Sequence, residues 1–305
     1  MTNAKANILL IGAALATLTA CNQPGPSTGN SANPFAVATS AADPDREAGK
    51  KLDGYVAASN TFVGSFGFEE KAAGYRQSNI AHSGINGMFS VDAGWISQGV
   101  DKLKKARAMS GGSPELDAAA DALIGSMGKA QAHLASLETY YESKKYLDDK
   151  LARGKAEDAQ MLAELDAAEK DFKAFSALLD SEVDKRDAVV LAKLRDSDPL
   201  RYETKLALTH AKKLVNLFTG PDDAKNPAVF AKGDAEVAII EKAIEDAHQA
   251  ASKAGKSDPT GLSELTSMIG RYRELKQDHD PNDLRSMIES YNMAVETTNT
   301  FGGIG

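Results

Sequence analysis

The chain has 305 residues, of which 42% are hydrophobic, 26% charged and only 6% aromatic. This composition is typical of a globular protein built from long helices packed through small residues, and it argues against a β-rich core. The formal net charge of −8 argues against nucleic acid as a partner. A single cysteine, Cys21, excludes an intrachain disulfide.

The first 20 residues have the layout of a signal peptide. One lysine and no acid precede an almost uninterrupted apolar run over 8–18. That run is shorter than the ~20 residues that a transmembrane helix needs. It ends at Leu18, Thr19, Ala20 and Cys21, which resemble the bacterial lipobox, where the cysteine is acylated and the chain is cut before it. An ordinary secretory signal with a chance cysteine at the cleavage point is the alternative.

Pro, Gly, Ser and Asn dominate the next segment, 22–44, which is typical of a disordered linker. Asn22 after the cysteine resembles an outer-membrane address in enterobacterial-type sorting. We therefore predict a signal peptide over 1–20, a lipidated Cys21 with its linker over 21–44, and an all-helical domain over 45–301. The predicted location is the cell envelope, at the outer membrane and facing the periplasm.

Helical periodicity begins after the linker. Apolar side chains at 3.6-residue spacing predict a first helix over 45–66 that ends at Gly67. The ambiguous stretch 68–87 is interpreted as a connector with some helical content. Residues 88–108 carry both a helical and a short alternating pattern, and the length and the lysine-rich end favour a helix.

Two long apolar patterns predict an antiparallel helical hairpin over about 114–148 and 156–195. A glycine pair followed by Ser113-Pro114 is a strong helix-start signal. We expect a short turn around Gly154. Because helices joined by a short turn pack antiparallel, the two long helices should form a hairpin. The predicted fold is all-α, an elongated helical bundle built on this hairpin.

Four shorter helical patterns follow. Asp198-Pro199 repeats the cap-and-proline start and opens a helix that ends at Gly220-Pro221. The periodicity predicts further helices over 234–253, 260–276 and 281–298. We therefore expect the C-terminal third of the chain to be helical as well.

A tyrosine- and lysine-rich segment stands where the hairpin reverses. Its sequence over 140–155, YYESKKYLDDKLARGK, resembles the signature of the YiiG-like bacterial lipoproteins, a family defined by a domain of unknown function. Leu52-Asp53-Gly54-Tyr55 with Asn60, and Tyr291-Asn292 with Val295, are similar to that family's first and last helices. The resemblance spans roughly 48–300. It implies a lipid-anchored, all-helical envelope protein and supplies no activity.

The same segment supplies a candidate interaction patch. Tyr141, Lys145, Tyr146, Asp148 and Asp149 lie within about two helical turns. Tyrosines beside mixed charge are typical of a contact surface between proteins. In the alternative, structural interpretation the tyrosines pack against a neighbouring helix, an aspartate caps the next helix and a glycine supplies the turn. The sequence leaves both interpretations open.

One calcium-binding pattern fails at a required position. Asp278, Asp280, Asn282 and Glu289 follow the spacing of an EF-hand loop, but Asp283 occupies the position where the turn requires glycine. Asp280 followed by proline would also start a helix inside that loop. We therefore expect no metal site here.

Catalytic patterns are weaker still. Gly255-Lys256-Ser257 ends like a phosphate-binding loop, but Ala250 replaces its first glycine and a helix precedes it. The histidines are scattered, and no Gly-x-Ser-x-Gly elbow exists. We therefore expect no catalytic site and no cofactor.

Three functional hypotheses remain, in order. The first is a non-enzymatic envelope lipoprotein, held at the membrane by its acyl anchor, whose bundle binds or spaces a periplasmic protein partner. The second is a periplasmic carrier that holds a small or lipidic ligand between helices, and a hydrolase is third. A continuous apolar cavity would favour the carrier, whereas a filled core with an exposed tyrosine-rich patch would favour the binding protein.

Overall fold

The computed structural model describes residues 44–63, 67–87, 89, 91–218 and 221–301. Within these ranges the chain forms nine α-helices and no β-strand, so the all-α prediction is confirmed. The helices are α1 (Pro44–Ser59), α2 (Phe68–Ser78), α3 (Gly94–Arg107), α4 (Pro114–Glu142), α5 (Ala152–Ser197), α6 (Pro199–Asn216), α7 (Pro227–Ala254), α8 (Leu262–Asp278) and α9 (Pro281–Phe301). The predicted leader, the lipobox with Cys21 and nearly all of the linker lie outside the described residues.

Two predicted boundaries near the N-terminus are wrong. Helix α1 ends at Ser59 rather than near residue 66, because the chain turns to bury the ring of Phe62, and the Phe68 N–H then donates to the Phe62 carbonyl at 2.7 Å. Helix α3 starts at Gly94 rather than at 88, where the Asp92 carboxylate accepts the Gly94 N–H at 2.8 Å. Both ends depend on contacts that helical periodicity does not encode.

The cap-and-proline signals locate helix starts well. The Ser113 hydroxyl accepts the Leu116 N–H at 3.3 Å, and the Asp198 carboxylate accepts the Arg201 N–H at 3.1 Å, as the prolines that follow these caps suggested. Helix α7 starts at Pro227 rather than at 234, and Asn226 caps it in the same way. The sequence interpretation overlooked this third copy of the signal.

Helices α4 and α5 form the predicted antiparallel hairpin. Tyr140 contacts Asp149, the Arg153 side chain reaches Ser136, and His133 contacts Glu164, so residue numbers rise along one helix as they fall along the other. Helix α5 has 46 residues and is about 69 Å long. It extends well past the start of α4.

The buried side chains form two separate hydrophobic clusters. In the first, α1 to α5 pack around a core in which the Phe172 ring meets Phe62 at a centroid distance of 5.6 Å. In the second, α6, α7, α8 and α9 close a ring around Phe218, Phe230 and Tyr272. The described helical body therefore has one core of five helices and one of four, and α5 extends from the first core to contact α6 of the second.

Buried charges join the two cores. The Lys205 ammonium on α6 lies 2.9 Å from the Asp187 carboxylate on α5, and both residues are less than a tenth exposed. Lys212, about two turns further along the same face of α6, contacts Asp180 at 3.0 Å and Asp184 at 3.2 Å. Burial lowers the pKa of Lys205 although Asp187 opposes that shift. The joint therefore depends on paired charges.

We expect Asp187→Asn to destabilise the protein by about 3 kcal/mol, because it leaves the Lys205 ammonium buried without a charged partner. Glu182→Gln is the matched control, since the Glu182–Lys185 pair on the same helix is largely exposed and should contribute less than ~1 kcal/mol. Urea unfolding followed by circular dichroism measures both changes. Equal losses in the two variants would contradict the structural role of the buried pair.

Candidate functional site

The hairpin reverses over 143–151, before Gly154. Lys144, Lys150 and Leu151 adopt left-handed backbone conformations with φ of 56°, 56° and 66°. A 3₁₀ turn lies between them, and the Leu151 N–H donates to the Tyr146 carbonyl at 2.8 Å. Helix α5 starts at Ala152, so the predicted turn at Gly154 is wrong, and this glycine lies in the first turn of the helix. Burial of the Tyr146 and Leu151 side chains holds the turn in this unusual backbone.

The tyrosines of the reversal form an aromatic cluster inside the protein. Tyr140 and Tyr141 are each 2% exposed and Tyr146 is 9% exposed. The ring of Phe89 lies 5.6 Å from that of Tyr141 and 5.3 Å from that of Tyr146. Lys145 and Asp148, by contrast, are exposed. The structure therefore divides the predicted patch into buried tyrosines and an exposed charged rim.

Asp149 ties the end of α4 to the start of α5. Its carboxylate accepts the Tyr140 hydroxyl at 2.8 Å and the Arg153 N–H at 3.1 Å. Desolvation alone would raise the pKa of Asp149, but these hydrogen bonds hold it below its ordinary value. Burial and the bond to Asp149 raise the pKa of Tyr140 to about 12. The arrangement stabilises neutral Tyr140 beside ionised Asp149.

Gly154 allows the two helices to approach closely at this point. A Cβ atom on it would stand 2.5 Å from the hydroxyl oxygen of Tyr141. The hydroxyls of Tyr141 and Tyr75 are buried and have no hydrogen-bond partner. Burial raises the pKa of both tyrosines, and the negative charge of the buried Asp158 carboxylate raises it further. The sequence interpretation did not identify Tyr75 or Asp158, since each is a lone polar position in a helical pattern.

The residues of the calcium-like pattern act at a helix junction. The Asp280 N–H donates to the Asp278 carboxylate at 2.9 Å, and the Asn282 N–H donates to the Asp280 carboxylate at 2.9 Å. Helix α9 starts at Pro281, so Glu289 lies about two turns inside it. No cluster of three His, Cys, Asp or Glu side chains suited to a metal ion occurs in the described ranges.

Two open surface grooves lie between helices, and both are lined by charged and apolar side chains. One lies between α6 and α7, with Asp198, Glu203, Asp246 and Lys253 on its walls. A second runs between α4 and α5 and is lined mainly by charged and small side chains. Neither is the continuous apolar cavity that the carrier hypothesis requires.

One family matches most of the helical body. The family DUF3829, described as protein of unknown function, matches residues 46–292. The chain belongs to this family. The matched DUF3829 region begins in α1, ends in α9 and includes the aromatic cluster of the hairpin. No curated protein and no solved structure matches the chain. In the part of this DUF3829 protein that the structure describes, no helix is both long and apolar enough to cross a membrane.

We expect Gly154→Ala to destabilise this DUF3829 protein by about 1–3 kcal/mol, because the added methyl group collides with the Tyr141 hydroxyl. Gly125→Ala on α4 is the control: its Cβ would meet nothing within 4 Å, so alanine should stabilise the helix by ~1 kcal/mol.

Adding Tyr141→Phe to Gly154→Ala should recover part of the loss, because the colliding oxygen is removed. Tyr141→Phe alone should be close to neutral, since that hydroxyl has no hydrogen-bond partner. Chemical unfolding of the four variants measures the effect, and a double variant no better than Gly154→Ala would refute this account of the close approach.

Proposed function

We propose that this DUF3829 protein is a lipid-anchored, non-enzymatic envelope protein that binds or spaces another periplasmic component. The observation that carries the proposal is the continuous helix α5, whose 46 residues complete the first core and then contact α6 of the second. A long rigid body of this kind suits a spacer or a binding scaffold. The proposed location is the outer membrane, facing the periplasm.

Support for the anchor comes from the sequence alone. Leu18, Thr19, Ala20 and Cys21 match the lipobox pattern, and an apolar run too short to span a membrane precedes them. The resemblance to the YiiG-like lipoproteins over 140–155 leads to the same proposal. Two or three acyl chains would hold the protein durably at a bilayer surface.

Support for a non-enzymatic role comes from how polar side chains are used. Asp117 accepts the Lys51 ammonium at 2.6 Å and the Tyr55 hydroxyl at 2.7 Å, which fastens α1 to α4. His133 lies between Glu164 at 2.9 Å and Glu157 at 3.2 Å, which fastens α4 to α5. These groups join helices across the core instead of converging on an open cleft.

Cys21→Ala should abolish acylation, because the thiol is the proposed attachment atom. Metabolic labelling with palmitate measures the effect. Ala20→Gly is the matched control, since it keeps a small residue before the cysteine and should remain labelled. Label that persists in the Cys21→Ala chain would exclude this attachment site.

Native mass spectrometry of the protein released from membranes should show no stoichiometric small ligand, because the two grooves described above are open to solvent and carry charged side chains. Photo-crosslinkers placed along the exposed faces of α4 and α9 in intact cells should capture a protein. A co-purifying lipid or metabolite at one copy per chain, with no protein crosslink, would instead support the carrier.

A further inference from the structure

We propose that the tip of the α4–α5 hairpin is a contact surface for an anionic phospholipid membrane. The tip surface consists of the exposed side chains of Lys144, Lys145, Leu147, Lys150 and Lys155. It lies outside the aromatic cluster and includes only Lys145 of the patch predicted from the sequence. The contact is separate from the acyl anchor and does not depend on it.

The first observation is charge. The four lysines of the tip surface are exposed, and within the described ranges none of them forms an ion pair. Glu142, Asp148 and the ionised Asp149 lie beside them. The segment 142–155 carries five basic and three acidic side chains, so its formal net charge is +2 on a chain whose formal net charge is −8. A lysine close to an anionic bilayer increases membrane partition about fivefold.

The second observation is an exposed apolar side chain among these lysines. Leu147 is 48% exposed at the apex, and Ile85 in the adjoining loop is 41% exposed. That loop is held against the tip at both ends: Ile80 lies against Gly154 on one side, and the Phe89 ring packs on Tyr146 on the other. The stretch 79–87 contains no acid. Apolar groups surrounded by lysines insert at the headgroup boundary of a bilayer.

The third observation is shape. The tip is the reversing end of a helical hairpin, where a 3₁₀ turn connects α4 to α5, and neither of the two grooves described above lies on it. A flat bilayer can meet a convex apex, with the lysines around the leucine reaching the headgroups at the same time. This favours a lipid surface over an acidic peptide as the occupant.

The tip also lies far from the end of the protein that the linker enters. Ala48 near the start of α1 packs against Gly111, and Lys51 pairs with Asp117, so α1 begins beside the start of α4. The 29 residues of α4 then separate that end from the tip by about 44 Å. A membrane contact at the tip would therefore be a second point of attachment, distinct from Cys21.

Vesicle flotation tests the proposal with residues 22–305, produced without the leader and Cys21 in every sample, so that neither acylation nor the apolar leader can contribute. The chain should float with phosphatidylcholine vesicles containing about 30% phosphatidylglycerol more strongly than with pure phosphatidylcholine. Changing Lys144, Lys145, Lys150 and Lys155 to glutamine should lower partition onto the anionic vesicles at least about tenfold. Raising the salt concentration to about 0.5 M should remove the difference in flotation between anionic and pure phosphatidylcholine vesicles.

Matched controls isolate the tip. Changing Lys104, Lys105, Lys253 and Lys256 to glutamine alters the charge equally at other exposed sites and should leave flotation near that of the parent. Leu147→Gln should weaken flotation severalfold, whereas Met293→Gln, at a side chain that is 55% exposed on α9, should not. Replacing the four tip lysines with arginine should preserve binding, and unchanged thermal melting confirms that each variant is folded.

Equal flotation of the tip and control variants, or no preference for anionic vesicles, would overturn the proposal. A photoreactive group at residue 147 could instead capture a protein, while the variant without the four tip lysines floats like the parent. That result would also overturn the proposal and assign the tip to a protein partner. Because Cys21 is absent from all samples, a failed anchor and a failed tip contact give different results.

Discussion

The structure depends on one unbroken helix that changes its mode of packing along its length. From Met161 to Val183 the buried face of α5 is almost entirely apolar, and it completes the first core. From Asp180 onwards its carboxylates face the lysines of α6. A single rigid element thus belongs to an apolar core at one end and an ionic joint at the other. Removing one partner of a buried ion pair leaves an uncompensated charge, so the joint holds the second bundle only where its lysines meet these carboxylates.

The sequence predicts the elements of this fold better than their ends. Serine or aspartate before proline located the starts of α4 and α6, because the side chain satisfies a backbone N–H locally. The end of α1 could not be read in this way, since it is set by the burial of Phe62 against Phe172 on a distant helix. The division into two cores was equally hidden, because each helix is amphipathic whichever core it faces.

At the hairpin reversal, too, the sequence predicted some features of the candidate site and missed others. The composition around Tyr141 and Tyr146 correctly marked an unusual segment, yet burial of a tyrosine depends on what packs over it, here Phe89 from a separate loop. The role of Gly154 was also not readable from composition. A glycine near a turn ordinarily supplies backbone freedom, whereas this one supplies space for the Tyr141 hydroxyl.

Burial of the tyrosines and exposure of the lysines belong to one arrangement. Lysine side chains lose much conformational entropy when they are held in place, so a surface of lysines recognises little unless the backbone beneath it is fixed. At this tip the backbone is fixed by Leu151 and Tyr146 from inside, by the bond of Asp149 to Tyr140, and by left-handed residues on either side. The same rigidity that withdraws the aromatic rings from solvent presents Leu147 and its neighbouring charges outward, which is the geometry that a flat, charged surface requires.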